Sequence, residues 1–361
     1  STPYLAFDLP TGRSDRKVFA HYVPFFPVSI DNLPADIDYY TTEFLSPNGE
    51  RGKYRDSGGY LRDRPLARDP INSTDWRDID VRTEINQAKS VGIDGFAMDV
   101  IEPRSKSDVA DRLLVNANVV GDFTILVTAD MSGPFGSSST QAFADEFAHY
   151  LSAPGAFKLT DGRPVLGAFA AELIPVSWWR ETLALLNARL GAPVAFVPTF
   201  LNGAEALDSF APLAYGFSNW GGRSPSEVPV TDTGPTSPVA LAMRSHALGK
   251  TWMQPVAFQD NRPRDGGYWE SENSTTNTNA WQVAIGQHAD WVQLLTWNDY
   301  SETTALAPSA KHRWSLLDMN AFGIAYYKYG QPPPITRDAI YVSHRTQPAA
   351  ALPSFPETKL M

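Results

Sequence analysis

Hydrophobic and polar positions along the chain alternate between short apolar runs and longer segments with helical spacing. The apolar runs are eight to eleven residues long and are interrupted by little polar sequence. Runs of this kind are typical of buried β-strands. We therefore predict eight strands, at residues 17–26, 92–100, 123–133, 163–173, 193–200, 213–222, 251–260 and 291–300.

The segments between these runs predict helices. In residues 176–191, Trp179, Leu183, Leu186 and Leu190 recur at the spacing of one helix face, and Gly191 supplies a stop signal. Residues 81–92 repeat this pattern and also end at a glycine. Further helices are predicted at 107–118, 139–150, 236–248, 279–288 and 310–327.

Strands that alternate with helices pair in parallel, and a count of eight favours closure into a barrel over an open sheet. No GxGxxG or GxxxxGK[ST] motif follows a predicted strand, so the sequence lacks the phosphate-binding turn of nucleotide-binding sheets. The fold class is therefore predicted to be α/β, a (β/α)₈ TIM barrel with long βα loops. We expect one catalytic domain over 1–361, with mouth loops at 27–78 and 261–278 and a C-terminal strap at 331–361.

Composition narrows the possible partners. The net charge of -10 disfavours nucleic acid, whose phosphates would be repelled. No apolar run is long enough to cross a membrane. We also expect the protein to be a monomer. There is no cysteine, which excludes disulfides and thiolate chemistry. The chain begins at Ser1 without Met, from which we expect removal of a signal peptide and secretion.

Polar side chains cluster at the carboxyl ends of the predicted strands, where the active site of a (β/α)₈ barrel lies. Five of the eight ends carry a carboxylate, more than helix capping alone should place there. Aromatic residues accompany them, and two glycines after Trp220 would let a large ligand approach its ring. The candidates are His21, Tyr22, Asp99, Asp130, Glu172, Asn219, Trp220, Asp260, Trp297, Asn298, Asp299, Tyr300 and Glu302.

This acidic and aromatic ring suits glycoside hydrolysis, which needs one carboxylic acid, one carboxylate and apolar surfaces for the sugar. A metal site is disfavoured because the six histidines show no HxH or HExxH spacing. No GxSxG turn supports a Ser-His-Asp triad. We predict no cofactor and no metal.

Structural roles remain open for several candidates. His21 could be a core histidine, Asp99 and Asp130 could cap helices, and Glu172 could be an ordinary loop acid. Asp260 opens a long polar loop in which a solvated carboxylate is the simpler interpretation.

Four motifs together resemble glycoside hydrolase family 71, the α-1,3-glucanases or mutanases. They are "VFAHYV", "DIDVRTEINQAKSVGIDGFAMDV", "TADMSG" and "WVQLLTWNDYSE", the last being similar to the family's W-N-D-Y-G-E. The resemblance implies a (β/α)₈ barrel without a metal requirement and an inverting, endo-acting attack on α-1,3-glucan. It also implies that Asp299 and Glu302 are the catalytic pair, and that His21, Tyr22, Asp99 and Asp130 line the sugar subsites.

Two positions depart from the family pattern. Ser301 replaces the glycine of W-N-D-Y-G-E, and we expect strain there if the position requires a positive φ. Asp99 stands where the family more often has an amide. Two alternatives therefore stay open: an α-glycanase of other specificity, retaining and similar to family 99, or a carbohydrate-binding barrel without catalysis.

The spacing of Asp299 and Glu302 also predicts the stereochemistry. Four residues leaving a strand in a partly extended turn separate two carboxyls further than one helical turn would. The wider separation leaves room for a water molecule between acid and base, so we predict inversion.

Overall fold

The computed structural model describes residues 3–10, 14–53, 55–56, 62–262 and 267–344. Eight parallel strands close into a barrel in the spatial order β1-β10-β7-β6-β5-β4-β3-β2. The predicted (β/α)₈ fold class is thereby confirmed. The barrel strands are β1 (Lys17–Tyr22), β2 (Gly95–Val100), β3 (Thr124–Asp130), β4 (Val165–Phe169), β5 (Ala195–Phe200), β6 (Gly216–Asn219), β7 (Thr251–Ala257) and β10 (Trp291–Leu295).

Helices follow the strands and form the outer layer. They are α2 (Trp76–Lys89), α3 (Val109–Val120), α4 (Thr140–Ser152), α5 (Val176–Leu190), α6 (Gly203–Phe210), α7 (Pro238–Ala247), α8 (Thr275–Gly286) and α9 (Ser315–Tyr329), preceded by a single turn, α1 (Gly49–Gly52). Helix α6 is missing from the sequence prediction because its eight residues are too few to show a periodic face. Within the described residues, no helix combines the length and apolar character needed to span a membrane.

Several strands end earlier than the apolar pattern predicts. β1 ends at Tyr22, shortly before Pro24, and β4 ends at Phe169, after which Ala170 adopts a left-handed conformation with φ of 53°. A 3₁₀ turn, Ala171–Leu173, then replaces the predicted end of the strand. Apolar composition alone did not distinguish these turns from strand.

The strand periodicity separates two layers of core. In the barrel interior, Phe19, Ala97, Leu126 and Met253 pack together, each on a different strand. Their sequence neighbours face outward, where Tyr22 contributes to the larger core shared with α2 and the other helices. Successive side chains of a strand point to opposite faces, so His21 points inward beside Phe19 while Tyr22 does not.

The long segment after β1 is fastened over the barrel mouth by buried ion pairs. Arg64 donates two hydrogen bonds to Asp38, at 2.8 and 2.5 Å, and Arg68 donates two to Asp80 on α2, both at 2.6 Å. Bidentate pairs of this kind fix both distance and orientation. These pairs hold described residues of the segment 27–78, whose last residues, from Trp76, already belong to α2.

The segment 261–278 contains more regular structure than a loop. Strand β8 (Asp260–Arg262) pairs antiparallel with β9 (Gly267–Trp269), and α8 begins at Thr275. Residues 263–266, between the two strands in sequence, lie outside the described residues. Of the predicted strap, residues 331–344 are described and Ile335 pairs with Phe7. The remainder, 345–361, lies outside the described residues.

Glu84 of α2 is a carboxyl buried beneath the mouth. It accepts hydrogen bonds from Tyr22 Oη at 3.0 Å and from Trp297 Nε1 at 3.1 Å. Burial raises the pKa of Glu84 to about 8, against which the two hydrogen bonds act only in part. Glu84 is therefore a neutral acid at neutral pH, linking β1, α2 and the segment after β10.

In the unfolded chain Glu84 ionises near its ordinary pKa of 4.5, whereas in the folded chain its pKa is about 8. The folded state therefore loses stability as the pH rises between these two values. Glutamine mimics the neutral acid. Between about pH 5 and about pH 8, the free energy of unfolding should fall less in Glu84→Gln than in the parent protein. We expect the two decreases to differ by on the order of 4 kcal/mol. Urea unfolding at the two pH values measures this difference. Glu181→Gln, on the exposed face of α5, is the control, and equal losses in parent and Glu84→Gln would contradict a neutral Glu84.

Candidate active site

A cavity of about 830 Å³ opens at the carboxyl ends of the barrel strands. Among the predicted residues it is lined by His21, Asp99, Trp220, Asp299 and Glu302. The segment after β1 contributes an aromatic wall of Phe25, Phe26, Tyr39, Tyr40 and Phe44. The cavity thus combines acidic groups with apolar rings.

The turn after β10 carries the two central acids. Residues 296 and 304 are paired through their backbones at 3.1 Å and through their hydroxyls at 3.0 Å. Asp299 N also donates to the hydroxyl of Thr296 at 2.9 Å. A closed loop of this kind holds its tip rigidly, so Asp299 and Glu302 project from a fixed base.

Asp299 is held through one oxygen. Its Oδ1 accepts hydrogen bonds from Ser301 N at 2.9 Å, Ser301 Oγ at 2.7 Å and Glu302 N at 3.1 Å. Burial raises the pKa of Asp299, and these three donors act in the opposite direction because they favour the carboxylate. Because Oδ1 accepts these three hydrogen bonds, Oδ2 is the Asp299 oxygen that remains available to react.

The expected strain at Ser301 is not observed. In this turn Thr303 has a left-handed φ of 54°, whereas Ser301 is not among the residues with a positive φ. The serine hydroxyl instead adds a third donor to Asp299. The replacement of glycine by serine therefore supports the aspartate rather than displacing Glu302.

Glu302 has a different environment. Its carboxyl is paired with Arg262 Nη2 at 2.9 Å. Burial, followed by the charge of Asp299, raises the pKa of Glu302 to about 7, while Arg262 lowers it. Burial thus raises the pKa of both acids, but their partners differ: Asp299 Oδ1 accepts three neutral hydrogen bonds, whereas the Glu302 carboxyl contacts a guanidinium.

A second polar group continues around the barrel on β1, β2 and β3. His21 Nε2 lies 3.4 Å from Asp99 Oδ2, and His21 Nδ1 lies 2.9 Å from Gln293 Nε2. Asp99 Oδ1 is buried without a hydrogen bond among the described residues. Burial and the neighbouring Asp99 charge raise the pKa of Asp130. His21 and Asp99 line the cavity, whereas Asp130 does not: its Oδ1 accepts hydrogen bonds from Ser132 N at 2.8 Å and from Ser132 Oγ at 2.6 Å.

Trp220 stands at the end of β6 between two other rings. Its ring centroid lies 4.8 Å from that of His21 and 4.7 Å from that of Phe169, both near edge-to-face. Gly221 follows with φ of 47°, and a Cβ there would lie 2.8 Å from Pro255. Glycine is thus required for the turn that leaves one face of Trp220 toward the cavity, where the ring is half-buried.

Besides Asp130, four predicted site residues lie outside the cavity. Tyr22 and Trp297 are buried against Glu84, and Tyr300 packs in a cluster with Phe26, Tyr40 and Phe44. Asn298 is fully buried and bonds to the backbone of Val23 and Phe26. Their positions are structural, because a ring or amide without exposed surface offers nothing to a sugar.

Three more predicted residues support loops. Glu172 Oε1 accepts from the backbone N–H groups of Leu201 and Asn202, at 2.6 and 2.8 Å. Asn219 Oδ1 accepts from Gly203 N at 2.9 Å, at the start of α6. Asp260 is fully buried between Arg262 and Arg223, so the expectation of a solvated or sugar-binding carboxylate is wrong.

The sequence reasoning missed Arg262 and the aromatic wall. Arg262 and three residues of the wall, Tyr39, Tyr40 and Phe44, come from segments assigned as mouth loops, where no periodicity indicates which side chains face inward. Phe25 and Phe26 were assigned to the end of the first predicted strand. The concentration of aromatic residues in and just before the first loop was the available signal. Within the residues that the structure describes, no group of three or more His, Asp or Glu is arranged to hold a metal ion.

Known proteins similar to this chain are fungal glucanases. The chain is 25% identical over 247 residues to glucan endo-1,3-alpha-glucosidase agn1 of Schizosaccharomyces pombe, covering 65% of this chain and 54% of that protein. It is 23% identical to a mutanase of Penicillium rubens, covering 66% of this chain and 51% of that protein. The chain thus spans about half the length of these relatives.

A solved structure with the same fold is the GH99 endo-alpha-mannosidase from Bacteroides thetaiotaomicron. The TM-score is 0.56 at 16% sequence identity, covering 69% of this chain and 80% of that chain. At this identity the likeness concerns the barrel fold alone.

The family assignment rests on the sequence as a whole. The profile of Glycosyl hydrolase family 71 matches residues 71–358, which is most of the chain and includes the turn that carries Asp299 and Glu302. The resemblance drawn from the four motifs is confirmed. The chain belongs to glycosyl hydrolase family 71.

Proposed function

We propose that this protein hydrolyses α-linked glucan, with α-1,3-glucan as the expected substrate, and that Asp299 and Glu302 carry the reaction. The observation that carries the proposal is that both carboxyls line one cavity but have different surroundings. Pairs of acids with divergent environments are a mark of acid–base division of labour. The glucanase names of the family 71 relatives support the choice of substrate.

The environments divide the roles between the two acids. Glu302, with a pKa raised to about 7, is the general acid that protonates the glycosidic oxygen. Asp299, whose Oδ1 accepts three hydrogen bonds, is the base that takes a proton from water through Oδ2. Water then attacks the anomeric carbon on the face opposite the leaving sugar, which inverts the configuration.

The cavity lining supports a sugar chain as ligand. Trp220 and Phe25, the latter about half exposed, offer apolar faces, while Asp99 offers an unpaired oxygen to hydroxyl groups. A polysaccharide of this kind is too large to enter a cell, so we also propose that the enzyme acts outside it. The polysaccharide is the one partner we propose.

Replacing either acid should abolish turnover without unfolding the protein. We expect Asp299→Asn and Glu302→Gln each to lower hydrolysis of α-1,3-glucan by on the order of a hundredfold or more. Reducing-sugar release measures the rate, and α-1,4-glucan and α-mannan test the linkage. Asp145→Asn, on the outer surface of α4, is the control with expected parental activity. Parental activity in either site variant would remove that residue from the mechanism.

The stereochemical outcome follows from the proposed base. If Asp299 activates water, the first product released from an α-linked glucan carries the β configuration. Proton NMR of the anomeric signals during the first minutes of hydrolysis distinguishes the two anomers before they equilibrate. An α-anomer as first product would instead indicate the retaining mechanism considered for a family 99-like enzyme.

Trp220 and Trp297 should respond oppositely to truncation. Trp220 lines the cavity, so we expect Trp220→Ala to weaken oligosaccharide binding about tenfold or more with little loss of stability. Trp297 is fully buried, so we expect Trp297→Ala to cost about 3–5 kcal/mol of stability. Calorimetric titration with α-1,3-linked oligosaccharide and thermal unfolding measure the two effects. Unchanged binding in Trp220→Ala would exclude a stacking role.

A further inference from the structure

Arg262 lines the cavity, and the proposed acid–base pair does not account for the presence of this cation. On strand β8, its Nε and Nη2 donate to Asp260 at 2.8 and 2.6 Å, and the same Nη2 lies 2.9 Å from Glu302 Oε2. The guanidinium therefore bridges a fully buried carboxylate and the proposed acid. The guanidinium also lies over the ring of Trp269 on β9, whose centroid is 5.7 Å from Arg262 Cζ.

The hairpin of β8 and β9 and the residue before it are also fastened to Glu302 and Thr303. Asn261 N donates to Glu302 O at 2.8 Å, and Thr303 Oγ1 donates to Asn261 O at 2.7 Å. Gln259 Nε2 adds a bond to Thr303 O at 3.2 Å. Thr303 adopts a left-handed φ of 54°, which is costly for a β-branched residue and persists only where surrounding contacts impose it. These contacts fix Glu302 relative to Arg262.

The charges that face Glu302 come from three elements. Asp299 lies in the same turn, Arg262 and Asp260 lie on β8, and Arg223 follows β6, with its Nε 3.4 Å from Asp260. Both carboxylates raise the pKa of Glu302 and both guanidinium groups lower it. Arg262 is the one in direct contact with the Glu302 carboxyl.

We propose that Arg262, fixed by Asp260 on the hairpin, is a positioning residue that orients the Glu302 carboxyl and compensates its charge after proton transfer. The inference rests on the proposed function. In that reaction the proton of Glu302 passes to the glycosidic oxygen as the bond from this oxygen to the anomeric carbon breaks. Water forms the new bond to that carbon and gives its proton to Asp299. Glu302 is then a carboxylate beside Arg262, which favours the charged form.

The protonation of Glu302 can be tested without any substrate. In protein labelled with ¹³C at the glutamate side-chain carboxyls, the resonance absent from Glu302→Gln belongs to Glu302, and its pH titration gives the midpoint. We expect the neutral variants Arg262→Gln and Arg262→Met to raise this midpoint by about one pH unit or more. Arg262→Lys, which keeps the charge but lacks the planar fork that binds Asp260 through two nitrogens, should lie between these variants and the parent.

Two neutral variants keep the test decisive if one of them fails to fold. The matched control is Arg244→Gln on α7, which also removes an arginine bound by two nitrogens to one aspartate, Asp208, but far from the cavity in the chain's outer layer. It should leave the Glu302 midpoint unchanged. A folded neutral variant of Arg262 with the parental midpoint overturns the proposal.

Hydrolysis then separates this proposal from the proposed function. With α-1,3-glucan, we expect the alkaline limb of the kcat profile to move upward in Arg262→Gln together with the midpoint, with a lower maximum and partial rescue in Arg262→Lys. A purely structural role would lower kcat at every pH without moving the limb, and this outcome also overturns the proposal. If parent protein releases no sugar from any glucan while the midpoint still moves, the proposed substrate is wrong and the coupling of Arg262 to Glu302 is supported.

Discussion

The buried amide of Asn298 is the interaction on which the site depends. Strand pairing between β1 and β10 runs from Lys17 to Ala20, and one further backbone bond, from Trp297 N to His21 O at 2.7 Å, follows it. Beyond it, Asn298 Oδ1 accepts from Val23 N at 2.7 Å, and Nδ2 donates to Val23 O at 2.9 Å and to Phe26 O at 3.1 Å. The Asn298 side chain thus joins the segments that follow β1 and β10, beyond the residues at which these two strands pair. Since a buried amide left unpaired is costly, the turn after β10 and the segment after β1 are held in a single arrangement.

Burying several charges near these segments is possible because most of them are paired. Asp260 lies between Arg262 and Arg223, Asp38 is held by Arg64, and Glu84 avoids charge by staying protonated. Asp99, which lines the cavity, is among the residues with a buried side-chain atom, here Oδ1, that has no hydrogen-bond partner among the described residues. A buried polar atom without a partner can be completed by a ligand. Asp99 Oδ1 is therefore an atom to which a ligand in the cavity can bond.

The fold could be predicted from the sequence because eight apolar runs and the helices between them are long enough to show their periods. The turn that carries Asp299 and Glu302 could also be predicted, from its place after the eighth run. Assigning His21 and Tyr22 both to the cleft was an error that the strand period of two already forbids. Trp297, Asn298 and Tyr300 were misplaced for another reason, since a turn has no period that separates buried from exposed positions. The role of Arg262 could not be predicted, because it depends on contacts with two carboxylates. Glu302 is distant in sequence, and Asp260, at the start of a predicted loop, is fully buried.

The alternation of aromatic and acidic residues after β10 now has a physical explanation. Trp297 and Tyr300 point into the protein, where Trp297 bonds to Glu84 and Tyr300 packs on Phe26 with ring centroids 6.1 Å apart. Asp299 and Glu302 point into the cavity. Phe26 and its neighbours Tyr40 and Phe44 share a core with Tyr300 and also form the aromatic wall. The wall that would hold a sugar and the turn that would cleave it are therefore two surfaces of one packed unit, so a change in the core beneath Tyr300 alters both together.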